Sequence, residues 1–356
     1  MTAFFSDEQR MLAESARKVF ARGDGASAPH WHEFAELGWL ALPVPEAHGG
    51  LGGGLPDLCV LAEELGRGLS PEPFVASAVL AGMLLADVAP PRACDAWLAA
   101  LADGGKRIAF APWEPRARHD AQAIATRARR EGDAWRIDGA KALALGAAGA
   151  DAWLLAARTG DAQLGLFLVE AGAPGLQVQD HALYDGRQAA SLRLDAAHAT
   201  LLLEAADAVL HGHIATALDR AAIVHAAETV GTMACAFDIT RDYLATRQQF
   251  GKPIASNQVI QHRLVDLYVE IEEARALVRA AAAAPQPAMA SAAAALIAHT
   301  ARHVWEESIQ LHGAIGMTEE YAVGACVRRL ALAASAYGDS HHHLAALADH
   351  LLGEPA

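Results

Sequence analysis

Arg247 and Phe250 stand at the end of a long helical pattern that enters the stretch RDYLATRQQFGKPIASNQ (241–258), breaks at Gly251 and Pro253 and resumes at Val259. An arginine there presents a planar, permanently charged fork suited to phosphate oxygens, and the phenylalanine beside it adds a flat apolar surface. The pairing suggests a grip on a nucleotide-like ligand, although an arginine near a helix C-terminus also serves as a plain dipole partner. Arg241, Lys252 and Arg263 are close in sequence and would add positive potential, or stay solvated helix charges. The five glycines of LALPVPEAHGGLGGG invite a phosphate-loop reading, yet no lysine and hydroxyl residue follow in the required places, so a tight connection between helices is expected. His341, His342 and His343 are adjacent and would point around different faces of a helix, and Cys59, Cys94, Cys235 and Cys326 lack metal-ligand spacing. No metal site is expected, and the cysteines read as reduced core thiols.

These residues need a scaffold, and 356 residues suit two or three domains. Hydrophobic residues make up 53% and aromatics only 6%, which with abundant alanine favours closely packed helices. The net charge of −14, with no basic tract, argues against a nucleic-acid partner, so an anionic ligand must be held by local arginines. The amino terminus, MTAFFSDEQR, lacks the basic region and apolar run of a signal peptide, and no apolar segment reaches bilayer-spanning length free of charge. A soluble, cytoplasmic protein without membrane insertion is expected.

Along the chain, Ser6 followed by Gln9 fits a capping box that starts the first helix, and a second helix is expected from about 30 to 37. Helical patterns follow over 56–68, 74–88 and 92–104. The period then changes. Segments at 124–130 and 135–138, joined by Glu131-Gly132-Asp133, read as a hairpin, and strand patterns continue at 152–157, 164–169, 176–179 and 191–194. After Glu204 the helical period returns, with Pro285 and Pro287 separating two of the helices. The expected fold is α+β: an amino-terminal helical domain (1–105), a central antiparallel β-domain (106–204) and a carboxyl-terminal antiparallel helix bundle of four or five helices (205–356).

In this order the chain resembles the acyl-CoA dehydrogenase family over essentially its whole length. ELGWLALPVPEAHGG and AEELGRGLSPEP look like the family's amino-terminal domain, and EGDAWRIDGAK looks like its β-domain hairpin. Arg247-x-x-Phe250-Gly251, Gln258 and Gln310-x-His312-Gly313-x-x-Gly316 look like its carboxyl-terminal FAD motifs. The resemblance implies FAD and the α,β-dehydrogenation of an acyl-CoA thioester, with a carboxylate taking the α-proton and the flavin supplying redox chemistry that side chains lack. It also implies an oligomer in which Arg247, Phe250, Gln310, Gly313 and Gly316 reach across a dimer interface to the ADP half of the neighbour's FAD, while the β-domain holds its own subunit's flavin.

The sequence departs from the family where its own flavin and base belong. The family's usual base, a glutamate, falls on Tyr337 in Ala336-Tyr337-Gly338-Asp339, and a phenol titrating near pH ~10 is a poor base at neutrality. The alternative helix position falls on Ala221. Two carboxylates are near: Asp339 is a candidate base or the cap of the final helix, and Glu228 a candidate or a member of a partly buried network. Hydroxyls facing the flavin are replaced by Trp113 and His119, and the family's tryptophan and threonine fall on Leu143 and Leu145. Unpaired polar groups cost roughly 1–3 kcal/mol each when buried, so this flavin cradle reads as degraded.

Three functions remain open from the sequence. One is a subunit that completes the FAD site of a related catalytic subunit, similar to the small subunits of pimeloyl-CoA and steroid side-chain acyl-CoA dehydrogenases, in a heterotetramer. A second is a homo-oligomeric flavin oxidoreductase using Asp339 or another carboxylate as base. A third is a non-catalytic structural or binding protein that has lost its flavin.

Overall fold

The computed structural model describes residues 5–21, 30–88 and 91–353, so the first four residues of the amino-terminal segment read above lie outside the described residues. Helix α1 (Asp7–Phe20) opens with the expected capping box: Gln9 N donates to Ser6 Oγ and Ser6 N to Gln9 Oε1, both at 3.2 Å. Then come α2 (Trp31–Glu36), a 3-10 turn at Glu46–His48, α3 (Leu55–Arg67), a π-helical segment at Phe74–Gly82, α4 (Met83–Val88) and α5 (Pro91–Ala102). The helix expected over 74–88 is thus π-helical in its first nine residues, all of them buried. Seven strands follow: β1 (Ile108–Phe110), β2 (Arg127–Glu131), β3 (Ala134–Leu145), β4 (Ala152–Gly160), β5 (Gln163–Glu170), β6 (Leu176–Ala182) and β7 (Gln188–Ala206). The rest is helical except for one small hairpin: α6 (Asp207–Thr246), β8 (Gln248–Gln249), β9 (Lys252–Pro253), α7 (Gln258–Ala283), α8 (Pro287–His312), α9 (Val323–Ala333) and α10 (Ser340–Leu352).

Two compact units form: Met1–Ala28 with Leu55–Pro71 and Ala222–Ala356, and Pro29–Gly54 with Glu72–Ala221. In the second unit the sheet runs β1-β4-β2-β3-β7-β5, with β6 on β7 and β5 returning to β4, so the strands close into a ring that leaves few free edges. Antiparallel pairs dominate, as expected, and two parallel pairings are added, β1 with β4 and β2 with β4. The β2–β3 hairpin lies between β1 and β4 in the chain, and β3 between β2 and β4, supplying the long crossover that each parallel pair requires. Inward residues of alternating strands, among them Ile137, Trp153, Leu155, Phe167, Val169 and Leu192, make the core of the ring. The β3–β7 register shifts between Ile137 and Gly139 and between Lys141 and Ala144, as bulges do.

In the first unit, α1 and α3 pack with the carboxyl-terminal helices. The crossing of α3 and α6 is backbone to backbone: a Cβ at Gly66 would lie 1.8 Å from the Glu228 carbonyl oxygen, and one at Gly231 would lie 1.8 Å from the Glu63 carbonyl oxygen. Thr232 Oγ1 donates across this crossing to the Gly66 carbonyl oxygen at 3.1 Å. Among the described residues α6 is the one helix long and apolar enough to cross a bilayer by composition, and 78% of its most apolar stretch is buried inside the protein, as in a core helix. All four cysteines are free thiols, three of them buried.

Gly231→Ala should therefore destabilise the protein by about 3 kcal/mol, because two helices must separate to admit one methyl group. Gly212→Ala, on the same helix with nothing within 4 Å of the added carbon, should be neutral or up to about 1 kcal/mol stabilising. Urea unfolding of the two variants side by side checks the contrast.

Candidate functional site

Helix α6 ends at Thr246, and the Arg247 amide still donates to the Tyr243 carbonyl oxygen at 2.8 Å before the chain turns into the β8–β9 hairpin. The two residues at its tip have positive φ, 51° at Phe250 and 78° at Gly251, the pattern of a type I′ turn. Glycine takes this backbone freely; a phenylalanine is strained there by about 1 kcal/mol or more. Its side chain is 101% exposed, so no packing within the chain offsets that strain. Arg247 is exposed too, and no acidic side chain pairs with it among the described residues. Neighbouring arginines differ: Arg241 is held by Asp238 and Asp242, and Arg263 by Glu307 at 2.6–2.7 Å. The positive potential expected from those two is thus largely spent on carboxylates, and Arg247 keeps its fork available.

The second half of the motif lies at the end of α8. Gln310 is exposed, and Gly313 (φ 66°) caps the helix in a conformation suited to glycine, with open space where a side chain would be. Gly316 serves packing: it is buried, and a Cβ there would meet His312 at 2.9 Å and the Ile309 carbonyl oxygen at 3.0 Å. Gln258 is exposed at the first turn of α7. Tyr243 joins the end of α6 to the end of α8, stacking on His312 with centroids 4.5 Å apart and donating its hydroxyl to the His312 carbonyl oxygen at 3.3 Å. Burial pushes the His312 imidazole below its ordinary pKa, and Nδ1 accordingly carries the proton it donates to the Ser308 carbonyl oxygen at 2.7 Å. The sequence singled out His312 as part of a motif but missed Tyr243, whose only signal is its place one turn before Arg247. An unpaired guanidinium, an exposed ring, exposed amides and an open glycine corner form a donor set that fits the phosphate-bearing ADP half of FAD.

The residues expected against the flavin ring do not fit it. Trp113 is 8% exposed with its indole N–H buried and unpaired, and it packs edge-on against His119. Leu143 (φ 36°) is 48% exposed, and its backbone N–H already donates to Ser191 Oγ at 3.2 Å. Glu114 is consumed structurally, accepting Lys141 Nζ at 2.7 Å, Ala125 N at 2.8 Å and Thr126 N at 3.0 Å. Burial opposes the charge on Glu114, but Lys141 and these hydrogen bonds outweigh it and hold the carboxyl below the usual carboxylate range. No side-chain hydroxyl stands at Trp113, His119, Leu143 or Leu145 to meet a polar ring edge.

Around the position of the usual base, Tyr337 is buried with its ring set edgewise on His225, centroids 5.2 Å apart. The cavity they line with Ile297 and His343 holds only ≈ 10 Å³, room for about one water. His225 Nδ1 faces Glu228 Oε2 at 3.0 Å, and Arg329 approaches the other Glu228 oxygen at 3.6 Å, so Glu228 sits in a buried network. Asp339 is the N-cap of α10, its Oδ1 accepting the His342 amide at 2.8 Å. Ala221 is fully buried. One carboxylate escaped the sequence reading: Asp219, on α6, whose carboxyl burial pushes up to about 6 and which has no ion-pair partner among the described residues. Nothing in its neighbourhood of the sequence announces that burial.

A carboxyl raised in the folded state favours folding below its unfolded pKa of 3.8, and that contribution is lost as the pH rises through about 6. Asp219→Asn should therefore be more stable than the parent by about 3 kcal/mol at pH ~8, with the difference vanishing near pH ~4. Urea midpoints measured across that range check it.

Comparison with known proteins agrees in chain order. Family models for the amino-terminal, middle and carboxyl-terminal domains of acyl-CoA dehydrogenase match residues 6–105, 109–197 and 211–352. Acyl-CoA dehydrogenase FadE12 of Mycobacterium tuberculosis is 31% identical over 323 residues, covering 85% of this chain and 82% of that protein. The solved structure of a variant of the Tcur3481-Tcur3483 steroid ACAD is similar with a TM-score of 0.85 at 30% identity, covering 98% of each chain. The ChsE4-ChsE5 complex from Mycobacterium tuberculosis has the same fold, with a TM-score of 0.86 at 21% identity over 100% of each chain. The fold, the ordered motifs and these matches lead to one conclusion: the chain belongs to the acyl-CoA dehydrogenase family, flavoprotein oxidoreductases that dehydrogenate acyl-CoA thioesters.

Proposed function

We propose that this chain is a subunit of an FAD-dependent acyl-CoA dehydrogenase and that it completes the FAD site of a related, catalytically competent subunit in a heterotetramer. The observation that carries this reading is the contrast between two sets of residues. Arg247 and Phe250 are exposed on a strained hairpin and satisfied by nothing in the described chain, whereas Trp113, Leu143 and Tyr337 replace the polar groups that the chain's own flavin and base would need. In this role Arg247 neutralises pyrophosphate oxygens, Phe250 and Gly313 supply a flat surface and a close approach, and Gln258 and Gln310 donate amide hydrogen bonds. FAD, when bound, would supply an acceptor for the hydride that leaves the substrate β-carbon, and a carboxylate of the partner would take the α-proton. Domains at 1–105, 106–204 and 205–356 carry these parts. A relative at 30% identity that is itself named for two components, the steroid ACAD, supports a paired assembly. We assign the protein to the cytoplasm, and its net charge of −14 without a basic tract speaks against a nucleic-acid partner.

A second reading is a homo-oligomeric oxidoreductase that uses Asp339 or another carboxylate, such as Asp219, as its base.

The experiment purifies the chain alone and co-expressed with a related acyl-CoA dehydrogenase subunit from the same genome, then measures flavin content and acyl-CoA oxidation. Alone, the chain should be colourless and inactive; together, the complex should hold FAD and turn over. Arg247→Ala should weaken FAD binding in the complex by about 10–100-fold, the worth of a charge-assisted hydrogen-bond pair. Stoichiometric FAD and acyl-CoA oxidation by the isolated chain, abolished by Asp219→Asn or Asp339→Asn, would establish the second reading instead.

A further inference from the structure

The glycine-rich connection after α2 brings His48 to the adjacent residues Cys94 and Asp95 of helix α5, 46 and 47 residues further along the chain. His48, at the end of the 3-10 turn Glu46–His48, places Nδ1 2.8 Å from Asp95 Oδ1 and 3.8 Å from Cys94 Sγ. Cys94 Sγ is 3.9 Å from the same Asp95 oxygen, closing a triangle of one nitrogen, one sulfur and one oxygen donor. All three belong to the same compact unit.

We propose that His48, Cys94 and Asp95 bind a zinc ion. With bonds of about 2.3 Å to sulfur, 2.05 Å to nitrogen and 2.1 Å to oxygen, a tetrahedral zinc sets sulfur–nitrogen and sulfur–oxygen edges of about 3.6 Å and a nitrogen–oxygen edge of about 3.4 Å. The two edges to sulfur are already within about 0.3 Å of that, and the third opens by about 0.6 Å when the histidine–aspartate hydrogen bond gives way to the ion. A mixed sulfur, nitrogen and oxygen set suits the borderline-soft Zn²⁺, whereas Mg²⁺ and Ca²⁺ demand oxygen throughout. Cys94 is fully buried, the His48 side chain is 14% exposed and the Asp95 side chain 56% exposed, so the fourth position opens to water on the Asp95 side. Burial and the Asp95 carboxylate raise the Cys94 thiol above its ordinary pKa. A bound cation reverses that balance, and binding releases the thiol proton to solvent.

The ion clips the connection that carries Gly49 and Gly50 to α5, closing a long loop across the unit. The site is independent of the flavin reading above.

The test uses the full-length, untagged chain, stripped of metal by a chelator and titrated with Co²⁺ and then Zn²⁺. The expected result is one equivalent of Co²⁺ with a near-ultraviolet sulfur-to-cobalt charge-transfer band, displaced by Zn²⁺, and a Tm that rises when Zn²⁺ is added. Cys94→Ala should lose the band, His48→Ala should weaken binding at least tenfold, and Asp95→Asn, at an exposed position that leaves folding undisturbed, should weaken it similarly. A His341→Ala/His342→Ala variant should keep full binding. Absence of the band in the parent overturns the proposal, as does Co²⁺ binding that survives Cys94→Ala and Asp95→Asn or vanishes in the histidine-run variant.

Discussion

The contact on which the carboxyl-terminal half depends is the crossing of α3 and α6, where two helix backbones touch because neither Gly66 nor Gly231 carries a side chain. Close approach fixes the rotation and register of α6. From that register follow the direction of Glu228 and His225 toward Arg329 and Tyr337 and, at the far end of the helix, of Tyr243 toward His312. The hairpin that carries Arg247 and Phe250 begins where α6 ends. A helix that presents a buried network at its middle and leads into an open hairpin at its end has to be held at one rotation, and side chains alone seldom fix that as firmly as backbone contact does.

The polar groups of the chain divide by whether the fold uses them. Glu114 and Lys141 are spent inside the sheet unit, Glu228 and Arg329 inside the helical unit, and Arg241 and Arg263 on surface carboxylates. Arg247 is not spent, and next to it Phe250 holds a backbone conformation that costs energy and an apolar surface that meets only solvent. Strain and exposure in one residue beside an unpaired charge are the features on which the proposed ligand-completing role rests. At the positions that the resemblance assigns to the flavin ring and the base the pattern is the reverse. Trp113 and Tyr337 are buried against His119 and His225, completing internal packing where the resemblance leads one to expect a hydroxyl and a glutamate.

Much of this was legible in the amino-acid order. Period and punctuation placed the Ser6 capping box, the hairpin around Gly132 and the break between α7 and α8 at Pro285 and Pro287, because these are local effects that a few neighbouring residues decide. The motifs around Arg247 and Gln310 identified the family, and the substitutions at Trp113, Leu143 and Tyr337 were visible as plain changes of residue type. What the sequence withheld is everything that depends on which distant residues meet. The capping role of Asp339 and the network role of Glu228 stood only as alternatives until α9, α10 and α6 were seen together. The burial of Asp219 is set by packing that no window of sequence contains. The parallel partners of β4, the assignment of α1 and α3 to the helical unit, and the meeting of His48 with Cys94 and Asp95 were likewise decided by tertiary structure. Sequence by itself determined the elements, the family and the residue chemistry, since those are written in local patterns and side-chain types; the fold alone decided which charges are spent and which remain, because that is a matter of distance between residues far apart in the chain.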